Sequence, residues 1–216
     1  GSVSLGIESL GKVLNLKGRV LPLTEESNNT LVAEMYDGGI VYGEHNITED
    51  VRKIKKVWYK DDTEVCKEAL KAIKNADLIV LSMGSLYTSI IPNLICNEIK
   101  DAIDKSNAEV MYVCNIVTQP GETDNFKVSD HVNALNEYLG DKKVSVVVAN
   151  SGAISKKMAE KYSNTEQKDP VIFDKKALKN MGLKIISDDF VTITDDTLRH
   201  DVIKLGLQIF TYLLEG

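Results

Sequence analysis

Short continuous apolar runs alternate along the chain with longer segments in which apolar residues recur every three or four positions. Residues 76–82, 109–115 and 144–150 are runs of strand length, the third strongly β-branched through Val144, Val146, Val147 and Val148. Strands buried on both faces of a parallel sheet read this way. Residues 184–187 predict a shorter fourth strand and residues 18–22 a fifth. Helical spacing joins Val65, Ala69 and Ile73, then Ile91, Ile95, Ile99 and Ile103. It recurs at Val128, Val132, Leu135 and Leu139, where Gly140 is the expected C-cap. The last helix carries two apolar rows, Val202, Leu205, Ile209 and Leu213 beside Ile203, Leu207, Phe210 and Leu214, so both its sides should be covered.

Strands alternating with crossover helices predict an α/β fold, three layers α/β/α around a mostly parallel, Rossmann-like sheet. One segment departs from that rhythm. Asp37-Gly38 separates two alternating runs, and glycine accepts the positive φ of a tight hairpin turn. Residues 29–48 therefore read as an antiparallel β-hairpin excursion, with residues 53–59 as its extension. No repeat or low-complexity tract divides the chain, so residues 1–216 read as a single domain.

Composition narrows the classes. With 216 residues, 43% apolar and 27% charged, the chain has the balance of a soluble globular protein. A formal charge of −6 offers no basic surface for nucleic acid or an anionic membrane. Cys66, Cys96 and Cys114 are widely spaced and odd in number, which fits reduced thiols in a cytoplasmic protein. No run approaches the roughly 18 apolar residues of a spanning helix, and no secretion signal opens the chain. Gly1-Ser2 looks like a cleavage scar, and Leu5, Leu10, Val13 and Leu14 open the chain inside a helical pattern, so native sequence is expected upstream.

Ligands of such folds bind where strand C-termini enter the next helix. Three loops there are small and polar. In the first, Gly84 lets backbone approach a ligand, and Ser85, Thr88 and Ser89 place hydroxyls beside free helix N–H groups. This suits a phosphate, although Ser85 or Thr88 could equally serve as a helix cap. In the second, Pro120-Gly121 makes a turn, and Asn115, Thr118, Gln119, Glu122 and Thr123 supply amides and hydroxyls of the kind that read a base or sugar. Asn150 begins the third, where a plain strand-to-helix turn explains the residues as well. Ser129 and Asp130 can cap the following helix, and His131 there is not expected to be catalytic. Tyr162 could stack on a base, and Arg199, taken as opening the last helix, could face a pyrophosphate or pair with Asp195, Asp196 or Asp201. There is no Walker-A, GxGxxG, GxSxG or HExxH motif, and three scattered His make a zinc site improbable.

Residues 84–94, 113–124 and 129–132, joined to 13–22 and 199–201, resemble the bacterial gluconeogenesis-factor (YvcK-type) proteins. These form a branch of the CofD-like group that includes 2-phospho-L-lactate transferase. The resemblance implies a cytoplasmic, non-enzymatic regulator that binds a nucleotide-type ligand, UDP-N-acetylglucosamine being the expected one. It also implies roles in cell shape, cell-wall precursor control and growth on gluconeogenic carbon, with cell-wall machinery or a second copy as partners. The alternative it carries is transfer of a phospho-lactyl group from a nucleotide carrier to a deazaflavin. By position, Gly84, Ser85, Leu86, Tyr87, Thr88 and Ser89 would hold phosphate, Asn115 and residues 118–123 would line the cleft, and Tyr162 and Arg199 would grip base and pyrophosphate. The family's opening Gly-Gly-Gly-Thr-Gly and Asp-Asp-Gly-Gly segments do not occur in these residues, and with them any carboxylate for Mg2+. The family's Gly-Pro-Gly-Ser-Leu-Tyr stands here as Ser82-Met83-Gly84-Ser85-Leu86-Tyr87.

Overall fold

A computed structural model describes residues 3–26 and 28–215, with Val3, Ser4 and Glu8 described by backbone alone. Gly1-Ser2 lies outside the described residues. The chain opens with helix α1 (Val3–Val13), whose apolar Leu5, Leu10 and Val13 are exposed. Residues 18–22 form no strand. Pro22 has no N–H to give a ladder, and no neighbouring strand is available to pair with the segment.

The hairpin forms as its pattern predicts. β1 (Leu31–Met35) pairs antiparallel with β2 (Ile40–Tyr42), and Gly38 takes φ +86° in the turn. A short helix α2 (Glu44–Glu49) then leads to β3 (Ile54–Tyr59), which pairs with the other edge of β1. The three strands make a separate sheet of order β2-β1-β3.

Helix α3 (Lys67–Lys74) precedes the main sheet of β4 (Leu78–Leu81), β5 (Glu109–Val113), β6 (Val144–Asn150) and β7 (Lys184–Asp188). These four lie side by side in chain order and are all parallel, as the apolar runs require. Between β4 and β5 the expected single helix is broken: a π-turn at Leu86–Ile90 and a 3-10 turn at Ile91–Leu94 precede α4 (Asn97–Lys105). Pro92 cannot continue an α ladder, which accounts for the break. Helix α5 (Val128–Tyr138) follows β5, and α6 (Lys156–Glu166) with α7 (Lys175–Asn180) follow β6.

Alternation along β5 builds two cores. Val110, Tyr112 and Cys114 face the larger one with Leu86, Ile99, Ile103, Val132, Leu135 and the small sheet's Ala33 and Met35. Met111 and Val113 face a second core with Val146, Val148, Phe190 and Leu205. Each fully buried side chain of this size stabilises the fold by about 1.5–3 kcal/mol.

Three further expectations change. The C-cap of α5 is Leu139, and a Cβ at Gly140 would stand 2.1 Å from the Asp104 carboxylate, which would have to shift. Residues 191–200 form a hairpin, β8 (Val191–Thr194) with β9 (Thr197–His200), turning on Asp195 and Asp196 at φ +49° and +58°. Arg199 therefore belongs to a strand and does not open the last helix. That helix, α8 (Val202–Glu215), packs one row, Leu205 and Ile209, on the second core. Its outer row is uncovered: Ile203 is 80% and Phe210 57% exposed.

Candidate functional site

The carboxyl ends of the parallel strands carry the three polar loops side by side. After β4 the chain turns at Gly84, and the Ser85 backbone begins the π-turn without a side-chain cap, the Ser85 carbonyl accepting from both Ser89 N–H (2.9 Å) and Ile90 N–H (3.0 Å). A side chain at Gly84 would crowd the Ser89 Cβ at 3.3 Å. The loop after β5 reaches it directly, because Asn115 Nδ2 donates to the Gly84 carbonyl at 2.8 Å.

Glu122 locks the two loops together. It is 2% exposed and accepts from Tyr87 N–H at 2.7 Å, Thr88 Oγ1 at 2.8 Å and Gln119 Nε2 at 3.0 Å. Burial pushes its carboxyl above the ordinary value of 4.5, opposed by the donors Tyr87 and Thr88. Thr118 Oγ1 accepts from Asp169 N–H, and Thr123 Oγ1 accepts from Gln119 N–H. Gly121 takes φ +77°, and a Cβ there would lie 2.4 Å from the Asp50 carbonyl oxygen. Its own carbonyl accepts from Ile54 N–H, so the loop is pinned to the start of β3.

Much of the polar surplus that reads as ligand-facing in the sequence is thus structural. Thr118 and Thr123 are engaged by the backbone N–H groups of Asp169 and Gln119, and Glu122 by Tyr87, Thr88 and Gln119, while Leu86 and Tyr87 send their side chains into the larger core. Asn150 likewise binds its own surroundings, accepting from Phe190 N–H at 2.9 Å and donating to the Gly152 carbonyl. Tyr162 cannot offer a stacking face. It is 5% exposed on α6, and its hydroxyl accepts from Leu198 N–H at 2.8 Å, holding β9 in place. Ser129 does not cap α5; it donates to Asp174, and Asp130 accepts from Lys127 N–H instead.

Fewer groups remain for a guest. The N–H groups of Gly84 and Ser85 make no hydrogen bond to a described residue. Asn115 Oδ1 is buried and has no hydrogen-bond partner among the described residues. The hydroxyl of Ser89 is exposed, as is Arg199, which forms no ion pair with a described residue. His200, part of the family-like segment 199–201 but not among the expected site residues, reaches the rim with Nε2 3.2 Å from the Cys114 carbonyl, and burial lowers its basicity. Successive backbone N–H groups beside a glycine form an anion-binding concavity.

The rim offers no preformed cage of side-chain ligands for a divalent cation. Among the described residues no three His, Cys, Asp or Glu side chains stand together, and both oxygens of Glu122 are engaged by donors. No helix among the described residues is long and apolar enough to cross a membrane.

Residues 1–191 match the family described as 2-phospho-L-lactate transferase CofD. The chain belongs to the CofD family. Among its relatives, a gluconeogenesis factor of Halalkalibacterium halodurans is 43% identical over 217 residues, covering 100% of this chain and 66% of the relative. A gluconeogenesis factor of Bacillus subtilis is 40% identical over 210 residues, covering 97% of this chain and 66% of the relative. A crystal structure of a UPF0052-family protein from Bacillus halodurans, 42% identical, superposes with a TM-score of 0.90 over 97% of this chain and 67% of that one. The CofD-family chain described above thus spans about two thirds of the length of its curated relatives.

Proposed function

We propose that the carboxyl rim of the parallel sheet holds the diphosphate of a nucleotide sugar, UDP-N-acetylglucosamine being the expected ligand. The observation that carries this reading is the pair of N–H groups at Gly84 and Ser85, beside the buried Oδ1 of Asn115, all without a hydrogen-bond partner among the described residues. The N–H groups suit phosphate oxygens, and an amide acceptor suits a sugar hydroxyl or a base N–H. Arg199 adds an exposed cation on β9, and Tyr162 contributes by fixing that strand. On this reading the protein is a regulator of cell-wall precursor use, cell shape and growth on gluconeogenic carbon. The likeness to proteins named gluconeogenesis factors supports it over transfer of a phospho-lactyl group.

Calorimetry with UDP-N-acetylglucosamine tests the proposal. Saturable heat is expected, weakened by Asn115→Leu and by Arg199→Ala. An absence of saturable heat at millimolar ligand in the complete protein would overturn it, and turnover of an activated phospho-lactate with a deazaflavin alcohol would favour the transferase.

A further inference from the structure

We propose that a second cleft, behind the π-turn and against the small sheet, binds a neutral polyhydroxylated molecule the size of one sugar ring. The cleft has a volume of about 330 Å³ and lies between Leu23, Thr24, Asn29 and Thr30 on one side, and Tyr59 of β3, Glu44 at the head of α2, and Thr88 and Pro92 beyond the rim turn on the other. Neither Gly84, Ser85 nor Asn115 lines it, so it is a site apart from the diphosphate rim.

Its chemistry selects the ligand class. Asn29 lines the cleft, and its Nδ2 is buried with no hydrogen-bond partner among the described residues, which leaves a donor asking for an acceptor. Glu44 lines it too, an exposed carboxylate able to accept from a guest. An anion would meet repulsion from Glu44, and a bare cation would give nothing to the Asn29 amide. A hydroxyl group answers both, since it donates and accepts. Tyr59 adds a phenol that burial pushes up to about 12, so it stays protonated and can donate. Leu31 and Pro92 supply apolar wall for the C–H face of a ring. The volume leaves room for a ring of pyranose size. Thr88 faces this cleft and also donates to Glu122, so a guest here would sit against the lock that joins the rim loops.

Titration of the isotope-labelled protein with free glucose, followed by amide NMR, tests the site. Saturable shifts are expected at the Asn29 side-chain amide, Gly43 and Thr88, with the Gly84 and Ser85 amides unmoved. Asn29→Leu should weaken the apparent affinity about tenfold, the worth of one buried hydrogen bond, and Tyr59→Phe, which removes one oxygen only, should weaken it as well. Inorganic phosphate in a parallel titration should leave the cleft signals unmoved while shifting those of the rim, which separates this site from the rim proposal. Shifts that never saturate, an affinity unchanged in both variants, or phosphate taking the cleft would each overturn the assignment.

Discussion

The hydroxyl of Thr88 donates to the buried carboxylate of Glu122 at 2.8 Å, across 34 residues of chain. With the Tyr87 N–H on the second oxygen, this contact fixes the π-turn after β4 against the loop after β5. The lock is expensive to break one-sidedly, because each donor left behind is buried.

Glu122→Ala should therefore destabilise by about 2–3 kcal/mol, the cost of orphaned buried donors. Glu122→Gln should cost less than about 1 kcal/mol at neutral pH, since an amide oxygen still accepts from Tyr87 and no charge is buried. Urea unfolding of both variants measures the difference. Equal losses would mean that the charge, and not the set of acceptors, holds the loops.

Acid should act through His131. Burial lowers its pKa from 6.5 to about 4, while Tyr112 Oη sits 3.0 Å from its Nδ1. The folded protein thus holds this ring neutral where the unfolded chain protonates it. Its contribution is complete above 6.5 and fades as pH falls toward 4, a loss of about 3 kcal/mol at the acid end. Glu122 has the opposite sign: its raised pKa favours the fold at low pH and fades as pH rises through the raised value. Urea midpoints between pH 4 and 7 should consequently rise more steeply in Glu122→Gln than in the parent. His131→Phe should flatten the rise.

Gly121→Ala should lower stability by about 2 kcal/mol or more, because positive φ and a 2.4 Å approach to the Asp50 carbonyl oxygen act together. For a domain of this size that is a fall in Tm of about 5 °C. Thermal melting followed by circular dichroism reads it, and an unchanged Tm would show that residues 50–54 are free to move away.

Tyr212→Phe should cost about 1 kcal/mol. At the amino ends of the strands its hydroxyl donates to Glu109 at 2.5 Å and receives Lys184 Nζ at 3.0 Å, tying α8 to β5 and β7. Hydrogen exchange should quicken in α8 and leave the rim loops unchanged.

The sequence shows the parallel strands plainly because burial on both faces demands uninterrupted runs such as Val144 to Ala149. It shows the Asp37-Gly38 hairpin because the turn chemistry is unambiguous. The second hairpin escapes because Asp195-Asp196 reaches positive φ without glycine, so Thr197 to His200 reads as a helix opening. The loop after β5 misleads for another reason. Polar side chains that satisfy one another in a buried turn have the same composition as polar side chains awaiting a ligand, and only the partners of Thr118, Glu122 and Thr123 tell them apart. Asn115 survives that sorting because half of its amide is left over.

The order β4-β5-β6-β7 also bears on how the molecule is made. Every strand pairs with the one synthesised immediately before it, so each newly emerged segment finds a finished edge waiting. A nascent chain released from the ribosome as far as Asn150 could already hold three paired strands, leaving only β7, the late ribbon and α8 to close the second core.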